Sequence, residues 1–353
     1  MADFRNTLML PFQSGAVPLP TSGENWCVLN ADSLLLQETM LANELICEQG
    51  MRPTFLELEA QGYTVQPVLP ELENIDGCLV LAHRSRAVNE RNMLRGWNGL
   101  KPGGLLVFAG DKTAGVQPIR KWAGRLTEIA GSLSKHHAIV FWLRKQGDPW
   151  LQEVLQKPDS SFVRDDFEVA AGMFSANGPD TGSQVLAEQF DQRIFGRVAD
   201  FGAGWGYLSH RLATQCPRIE QLDLYEADWA SLKAAETNVG TARATATARA
   251  TATAPDTAAV NYHWCDLTSE APRGPFNWVI MNPPFHSGRA AVPELGNRFI
   301  EAAARSLPAG GRLLMVANTN LPYERKLESL FRKVERKDQA KGFKVLEAVK
   351  GSR

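Results

Sequence analysis

The stretch "VADFGAGWGYLSHRLA", residues 198–213, joins an apolar run, an acid, a loop of three glycines and an apolar helix pattern. The run that ends at Asp200 predicts a buried strand, and the residues after the loop predict a helix. Gly202, Gly204 and Gly206 permit a tight turn and a close approach of the backbone to a ligand, and the helix N-terminus adds its positive dipole end. The pattern predicts the ligand-binding strand–loop–helix unit of a Rossmann-like α/β sheet.

The spacing and charge of this loop indicate its ligand. A dinucleotide fingerprint reads G-x-G-x-x-G, whereas this loop reads G-x-G-x-G. The strand before it ends in Asp200, and a carboxylate there disfavours a pyrophosphate. An acid beside the loop suits a cationic ligand without phosphate. S-adenosylmethionine, with its sulfonium and ammonium groups, is such a ligand and is the predicted cofactor.

Two more acids follow, each at the end of a predicted strand. Glu226 ends "QLDLYE", twenty residues after Gly206, and is placed to accept hydrogen bonds from both hydroxyls of a ribose. Asp266 follows "YHWC", where its carboxylate can accept from an adenine amine while the Leu267 N–H donates. The order of loop, Glu226 and Asp266 strengthens the prediction of the cofactor.

A fourth predicted strand, within "FNWVIMNPPFH" (276–286), ends in two prolines that cannot donate to a sheet ladder. Because proline fixes φ, the Asn282 side-chain oxygen and the Pro283 carbonyl are predicted to be rigid acceptors at the ligand-binding edge. Beside a methyl donor, such acceptors suit an amine substrate whose nucleophilic form they stabilise. Pro284 stiffens the turn, and Phe285 offers a face on which a nucleobase stacks.

Each motif also has a simpler structural interpretation. "NPPF" suits a turn that ends a strand and buries its phenylalanine, and the glycine loop suits an ordinary strand-to-helix connection. His286 is either a surface histidine or a contact to a base or phosphate. The occurrence of all these motifs in one order favours the functional interpretation.

The second half of the sequence repeats the order of predicted elements in the first. Alignment of 75–80 with 276–281 gives an offset of about 200 residues. The predicted segments are strand 76–83, helix Ala87–Trp97, turn 100–104 and strand 105–110, then strand 276–282, helix Gly296–Ser306, turn 307–311 and strand 312–318. This alternation indicates a duplicated α/β unit with parallel sheets, and the seam is predicted near 156–166.

Length and composition are compatible with two globular cores, since 44% of the 353 residues are hydrophobic. The five cysteines form no C-x-x-C pair and no ligand cluster with histidine, so neither a disulfide framework nor a metal site is predicted. The start of the chain lacks the features of a signal peptide, and no run of 18 apolar residues occurs, so a cytoplasmic protein is expected. Nothing in the sequence indicates an oligomer.

The net charge of −1 conceals an asymmetry along the chain. Residues 1–76 hold 11 acidic and 2 basic side chains. Residues 118–145 hold 1 acidic and 6 basic side chains, and residues 325–353 hold 4 acidic and 10 basic side chains. Such basic stretches are often solvated faces, so they permit binding of RNA or DNA without demonstrating it.

Residues 241–254 are a low-complexity repeat of the hexamer "TARATA". Alanine favours helix but the alternating threonines oppose it, so the preceding helix is predicted to end near Asn238 and the repeat to form a mobile surface insertion. Contact of Arg243 and Arg249 with a polyanion is the alternative interpretation.

In succession, "DFGAGWG", "YEAD", "CDLT" and "NPPFH" resemble the class I S-adenosylmethionine-dependent methyltransferases that modify exocyclic amines. More narrowly, "MFSANGPDTGSQVL" (173–186), "VANTNLPY" (316–323) and "GFKVLEAV" (342–349) resemble the bacterial ribosomal RNA guanine-N2 methyltransferases that act on 16S or 23S RNA. The close resemblance covers about 165–350, and "GDKTAGV" (110–116) favours the 16S branch.

The resemblance implies an α/β fold of two tandem Rossmann-like class I methyltransferase domains. The N-terminal domain, 1–158, is expected to be degenerate and to serve RNA recognition or structural support, because it has "VLAHRSR" where the other half has "IMNPPFH" and its residues 1–74 contain no G-x-G-x-G. The C-terminal domain, 165–353, is expected to be catalytic and to contain a mostly parallel seven-stranded sheet.

The resemblance also implies roles for individual residues. Cofactor binding is expected of Asp200, Gly202, Ala203, Gly204, Gly206, Glu226, Asp266, Leu267 and Asn282, catalysis of Asn282, Pro283 and Phe285, and substrate binding of Phe174, Pro284 and His286. Phe174 lies in a segment that folds over cofactor and substrate in the family, although Asp180 or Ser183 also suits simple capping of the next helix. The repeat and the bulky Trp205 within the glycine loop depart from the family pattern.

The leading functional hypothesis is methyl transfer from S-adenosylmethionine to the N2 amine of one guanine in 16S ribosomal RNA. Its expected partner is ribosomal RNA or a ribosomal subunit, and no membrane partner is expected. The alternatives are a 23S guanine-N2 methyltransferase, an adenine-N6 or protein-glutamine methyltransferase, and a ribosome-assembly factor that binds RNA and whose catalysis is incidental.

Overall fold

The chain forms two compact units, Met1–Ser161 and Phe162–Arg353. Each contains a seven-stranded sheet. Within the part of the chain that the structure describes, no helix is both long and apolar enough to cross a membrane. The computed structural model describes residues 4–32, 45–147, 161–164, 167–176, 178–249, 259–284, 286–287, 290–291 and 293–352.

The first unit is built around a mostly parallel sheet. Its strands are β1 (Trp26–Leu29), β2 (Leu45–Glu48), β3 (Thr64–Gln66), β4 (Ile75–Leu81), β5 (Leu100–Asp111), β6 (Gly131–Lys135) and β7 (Ala138–Arg144). Its helices are α1 (Phe4–Gln13), α2 (Arg52–Ala60), α3 (Arg86–Gly99) and α4 (Val116–Leu126), with a 3-10 turn at Lys112–Ala114.

The strand order of this sheet is β3-β2-β1-β4-β5-β7-β6. The first five strands are parallel, and the last two are antiparallel to their neighbours. Apolar side chains of α1 and α2 pack in one buried cluster, and those of α3 and α4 pack in another. Because both faces of the sheet are covered, the central strands are almost continuously apolar.

The second unit has the same architecture. Its strands are β8 (Ser161–Arg164), β9 (Phe167–Ala170), β10 (Phe195–Phe201), β11 (Arg218–Glu226), β12 (Ala259–Trp264), β13 (Trp278–Met281), β14 (His286–Ser287), β15 (Ala290–Ala291), β16 (Arg312–Asn318), β17 (Lys333–Ala340) and β18 (Phe343–Val349). Its helices are α5 (Thr181–Ala187), α6 (Tyr207–Gln215), α7 (Trp229–Arg249), α8 (Pro293–Ser306) and α9 (Glu324–Leu330).

The main sheet of this unit has the order β12-β11-β10-β13-β16-β18-β17, which is the order of the first sheet strand for strand. Helices α5, α6 and α7 cover one face of it, and α8 and α9 cover the other. Two small antiparallel pairs, β8 with β9 and β14 with β15, lie outside it. The prediction of two Rossmann-like α/β sheets is therefore confirmed.

The predicted boundaries differ from the observed ones mainly where a turn was expected. The segment 100–104, predicted as a turn, is the first part of β5. There Leu100 pairs with Ile75, and the register then shifts before Gly77 pairs with Leu105. A bulge accommodates the extra residues, so the proline and glycines kink the strand without ending the pairing.

Helix α7 continues to Arg249, well into the low-complexity repeat. The prediction that this helix ends near Asn238 is therefore wrong. Alanine is the best helix former, and each threonine costs only a fraction of 1 kcal/mol (roughly 0.7 at most), so the alanines prevail over this stretch. The last part of the repeat, 250–254, lies outside the described residues.

Candidate active site

The glycine loop follows β10 and lies against the end of β11. The backbone N–H groups of Gly202 and Ala203 both donate to the Tyr225 carbonyl, at 2.9 and 3.0 Å. Gly202, Gly204 and Gly206 have φ values of +76°, +55° and +91°. These values lie in the left-handed region, which glycine adopts without steric cost, so the loop conformation requires this residue type.

The glycines of the loop face different surroundings. A Cβ atom at Gly204 would have no described heavy atom within 4 Å, whereas one at Gly206 would lie 3.0 Å from the Ala235 side chain on α7. Gly206 therefore serves the close packing of the loop on α7. Gly204 instead presents an open backbone surface, as a ligand cradle requires.

Glu226, at the end of β11, is joined directly to this loop. One carboxylate oxygen accepts the Gly204 N–H at 2.7 Å, and the other accepts the Asp228 N–H at 2.8 Å. Burial raises the pKa of the Glu226 carboxyl to about 7, against the opposing effect of these backbone hydrogen bonds. The structure thus brings together two predicted cofactor-binding positions, Glu226 and the glycine loop.

Asp200 lies in β10 immediately before Phe201 and the loop, and it is fully buried. One carboxylate oxygen accepts the Ser209 hydroxyl on α6 at 2.7 Å, and the other has no hydrogen-bond partner among the described residues. Burial raises the pKa of this carboxyl to about 7. The residue is therefore a shielded acid tied to the helix that follows the loop.

The titration of Asp200 predicts how stability depends on pH. The pKa of Asp200 is raised in the folded state, so the folded protein keeps a proton that the unfolded chain loses at lower pH. The stability that this group contributes at low pH is therefore lost as the pH rises through about 7. Asp200→Asn retains an acceptor for Ser209 and cannot ionise. In urea titrations, we expect Asp200→Asn to raise the free energy of unfolding above that of the wild type by more at pH 8 than at pH 5. Equal gains at both pH values, or the same trend in the control Asp191→Asn at a half-exposed position, would contradict this assignment.

Asp266 and Leu267 follow β12 near the end of β11, since the Cys265 N–H donates to the Glu226 carbonyl at 2.9 Å. The Asp266 carboxylate already accepts the N–H and hydroxyl of Thr268 and the hydroxyl of Ser269. Leu267 is buried in the core. The local turn fixes the Asp266 carboxylate, so any bond to an adenine amine would add to these contacts.

Asn282, directly after β13, has a side-chain amide held in one orientation. Its Nδ2 donates to the Asp180 carboxylate at 2.8 Å and to the Ser183 hydroxyl at 2.9 Å. An ionised carboxylate only accepts hydrogen bonds, so the amide nitrogen must face Asp180. The amide oxygen is thereby directed to the other side, as the predicted acceptor for a substrate amine requires.

The four residues that follow Asn282 differ in their exposure and in how far the structure describes them. Pro283 is buried and Pro284 is exposed. Phe285 lies outside the described residues, and His286 begins the short strand β14, with only its backbone described. The roles predicted for these four residues remain predictions.

Asp180 has a second role that the sequence did not reveal. It caps α5, because its carboxylate accepts the Ser183 N–H at 3.0 Å, and the same oxygen receives the Asn282 amide. Sequence reasoning proposed the cap alone, because Asn282 lies 102 residues further along the chain. An aspartate directly before the helix is the signal for the cap, but no local signal identifies the contact with Asn282.

The first unit differs at the corresponding strand end. There Ala82, His83 and Arg84 follow β4, and Asn89 of α3 both donates to the His83 carbonyl and accepts its N–H, each at 2.7 Å. A cavity of about 500 Å³ lies instead at the amino ends of β4 and β5, beside Arg95 and Lys145. Open α/β sheets bind ligands at the carboxyl edge, so this cavity is not the counterpart of the site in the second unit.

A sheet of this strand order, with a glycine loop after its first strand, an acid after its second and Asn-Pro-Pro after its fourth, defines the Rossmann-like class I methyltransferase fold. The chain belongs to the methyltransferase small domain family, whose sequence model matches residues 165–347.

Comparisons with individual proteins extend the likeness. The chain is 35% identical over 177 residues to the ribosomal RNA small subunit methyltransferase C of Hamiltonella defensa, which is 50% of this chain and 48% of that protein. It is 24% identical over 290 residues to the protein of the same name from Idiomarina loihiensis, covering 79% and 78%. In the first of these matches the chain spans about half the length of its relative.

Among solved structures, the T. thermophilus 16S rRNA N2 G1207 methyltransferase in complex with AdoMet and guanosine matches with a TM-score of 0.75 and 24% identity. The match covers 98% of this chain and 91% of that one. The similarity therefore extends over both units and supports the two-domain fold.

Proposed function

We propose that this protein transfers a methyl group from S-adenosylmethionine to the N2 amine of a guanine in 16S ribosomal RNA. The observation that carries the proposal is the orientation of the Asn282 side chain. Asp180 and Ser183 fix its amide nitrogen, so its amide oxygen faces the other way and can accept a hydrogen bond from a substrate. A fixed acceptor at the end of the fourth strand, beside a cofactor loop, suits a substrate amine.

The chemistry follows from this orientation. The exocyclic amine of a nucleobase has its lone pair delocalised into the ring, which makes it a weak nucleophile. Hydrogen bonds from its two hydrogens to the Asn282 oxygen and the Pro283 carbonyl would favour the pyramidal form, in which the lone pair is available to attack. Because these acceptors are fixed before the reaction, they stabilise the transition state without reorganising.

The glycine loop and Glu226 are the proposed cofactor site. Gly204 would allow the cofactor to approach the backbone closely, and Glu226 would accept from the ribose hydroxyls while it retains the Gly204 N–H. Asp200, buried in the strand before the loop and bonded to Ser209, would add negative charge near a cationic ligand when it is ionised. When bound, S-adenosylmethionine would supply a methyl group on a sulfonium; its neutral thioether would leave without an acid, and the methylated amine would lose one proton to solvent.

The names of the relatives support the choice of substrate. Several of them are ribosomal RNA small subunit methyltransferases, and the solved structure with the same two-unit fold is a 16S rRNA N2 methyltransferase with guanosine bound. We also propose that the domain 1–158, which lacks the glycine loop, aids RNA recognition or supports the fold, and that the protein acts in the cytoplasm.

The test is to identify the methylated nucleoside. The purified protein is incubated with labelled S-adenosylmethionine and undermethylated 16S and 23S RNA, as free RNA and as subunits, and the RNA is digested to nucleosides. We expect labelled N2-methylguanosine from 16S RNA. Label in 23S RNA would show that the substrate is that of the 23S branch, and labelled N6-methyladenosine would show that the methylated base is adenine. Absence of label from every RNA would contradict the proposal.

A further inference from the structure

Trp205, the bulky residue of the glycine loop, is bonded to the segment that carries Phe174. Its indole N–H donates to the Phe174 carbonyl at 2.9 Å, and its side chain is only 4% exposed. The ring packs edge-on against Phe167 of β9, with ring centroids 5.0 Å apart. The tryptophan that departs from the family pattern thus joins the loop to the chain that precedes α5.

Asn238 of α7 reinforces this connection from the other side. Its side-chain oxygen accepts the Glu168 N–H at 2.7 Å, and its amide nitrogen donates to the carbonyls of Glu168 and Trp205 at 2.9 and 2.7 Å. The residue is 2% exposed, so these bonds are shielded from water. We call the side chains of Asn238 and Trp205, with the Glu168 and Phe174 backbone groups they bind, the clasp.

The clasp holds Phe174 outward. Met173 and Ala176, on either side of it, pack against the buried cluster that contains Trp205, whereas Phe174 itself is 62% exposed. Ser175 has a φ of +51°, a left-handed conformation that is uncommon for a residue with a side chain. Such strain persists only where the surroundings impose it, and it occurs often at functional sites.

The segment is fixed to the site at two points. Near Phe174 it is bonded to the glycine loop through Trp205, and at Asp180 it is bonded to Asn282. These anchors lie six residues apart in the sequence, one at the proposed cofactor loop and the other at the proposed amine acceptor. Phe174, at the first of these anchors, carries an exposed aromatic ring on which a nucleobase could stack.

We infer that Trp205 and Asn238 are positioning residues that hold Phe174 against the substrate base. The inference rests on the proposed function. It assigns a specific role to the indole N–H of Trp205, which fixes the Phe174 backbone without touching cofactor or substrate. Loss of that N–H should weaken use of RNA and leave cofactor affinity unchanged.

The test compares Trp205→Phe with Trp278→Phe. Both changes remove the same volume from a buried tryptophan of the second unit, but the indole N–H of Trp278 has no hydrogen-bond partner among the described residues. We expect Trp205→Phe to lower kcat/KM for RNA about tenfold, as loss of one hydrogen bond allows, with the Kd for S-adenosylmethionine unchanged. Trp278→Phe should have no effect on either. Equal effects of the two variants would overturn the inference.

A double-mutant cycle with Phe174→Ala shows whether Trp205 acts through Phe174. In that background Trp205→Phe should change kcat/KM less than about twofold, and a full tenfold loss there would contradict the assigned role. Chymotryptic cleavage after Phe174, followed by mass spectrometry, gives a readout without methyl transfer and should be faster in Trp205→Phe than in Trp278→Phe. If the wild-type protein methylates no RNA, the proposed function fails, while equal cleavage rates in both variants would refute the clasp itself.

Discussion

Asn282→Ala is expected to lower the turnover number for methyl transfer by about 10²–10³-fold, the effect of removing one fixed hydrogen-bonding group from a transition state. The Kd for S-adenosylmethionine should change little, because the glycine loop and Glu226 hold the cofactor in the proposed site. The measurements are single-turnover rates with RNA and equilibrium binding of the cofactor. Asn98→Ala, at an exposed position of the first unit, is the control.

A second variant tests the orientation of the Asn282 amide. Asparagine caps helices about as well as aspartate, so Asp180→Asn should leave the α5 cap and the unfolding temperature nearly unchanged. It replaces the charged acceptor of the Asn282 amide with a neutral one, so turnover should fall about fivefold, the difference between a hydrogen bond to a charged group and one to a neutral group. Normal turnover in Asn282→Ala would refute the catalytic role, and normal turnover in Asp180→Asn alone would refute only the role of the carboxylate.

Gly204→Ala is expected to weaken binding of S-adenosylmethionine on the order of 100-fold, because the added methyl group occupies the open surface of the loop. Isothermal titration calorimetry measures this loss. Gly310→Ala is a matched control, since Gly310 also has a positive φ, of +83°, and a Cβ there would also meet no described atom within 4 Å.

Both glycine variants place alanine in the left-handed region, at a cost of about 1–2 kcal/mol, so their unfolding free energies should fall alike. Only Gly204→Ala should lose cofactor affinity. Equal affinity in the two variants would show that the Gly204 surface is not the cofactor cradle. A loss of stability confined to Gly204→Ala would indicate that this glycine serves packing instead.

The sequence predicted the sheets well because their strands are nearly continuous apolar runs. The strand 312–318 was predicted with its observed boundaries, and helix α8 differs only at its start. Buried parallel strands need apolar residues on both faces, so they stand out against the polar loops between them. The glycine loop was equally clear, because a left-handed backbone leaves a direct signature in the residue type.

Contacts between distant segments could not be predicted in this way. The bond that Asn282 donates to Asp180 and the clasp at Asn238 depend on which distant segments meet in the fold, and a single sequence carries no pattern for that. The extent of α7 differs from the prediction for another reason, because the helix propensity of the alanines outweighs the cost of the threonines in the repeat. The burial of Asp200 likewise depends on how α6 packs, so its raised pKa became apparent only in the structure.

The length of α7 has a consequence for the group of bonds around Asn238. Helix ends fray, and hydrogen bonds anchored in a last turn open with little cost in free energy. Asn238 is the tenth of the 21 residues of α7, so the helix continues for three turns beyond it. The part of the repeat that lies within α7 thus keeps the bonds at Asn238 away from a fraying end, and shortening it should speed hydrogen exchange at the Glu168 amide.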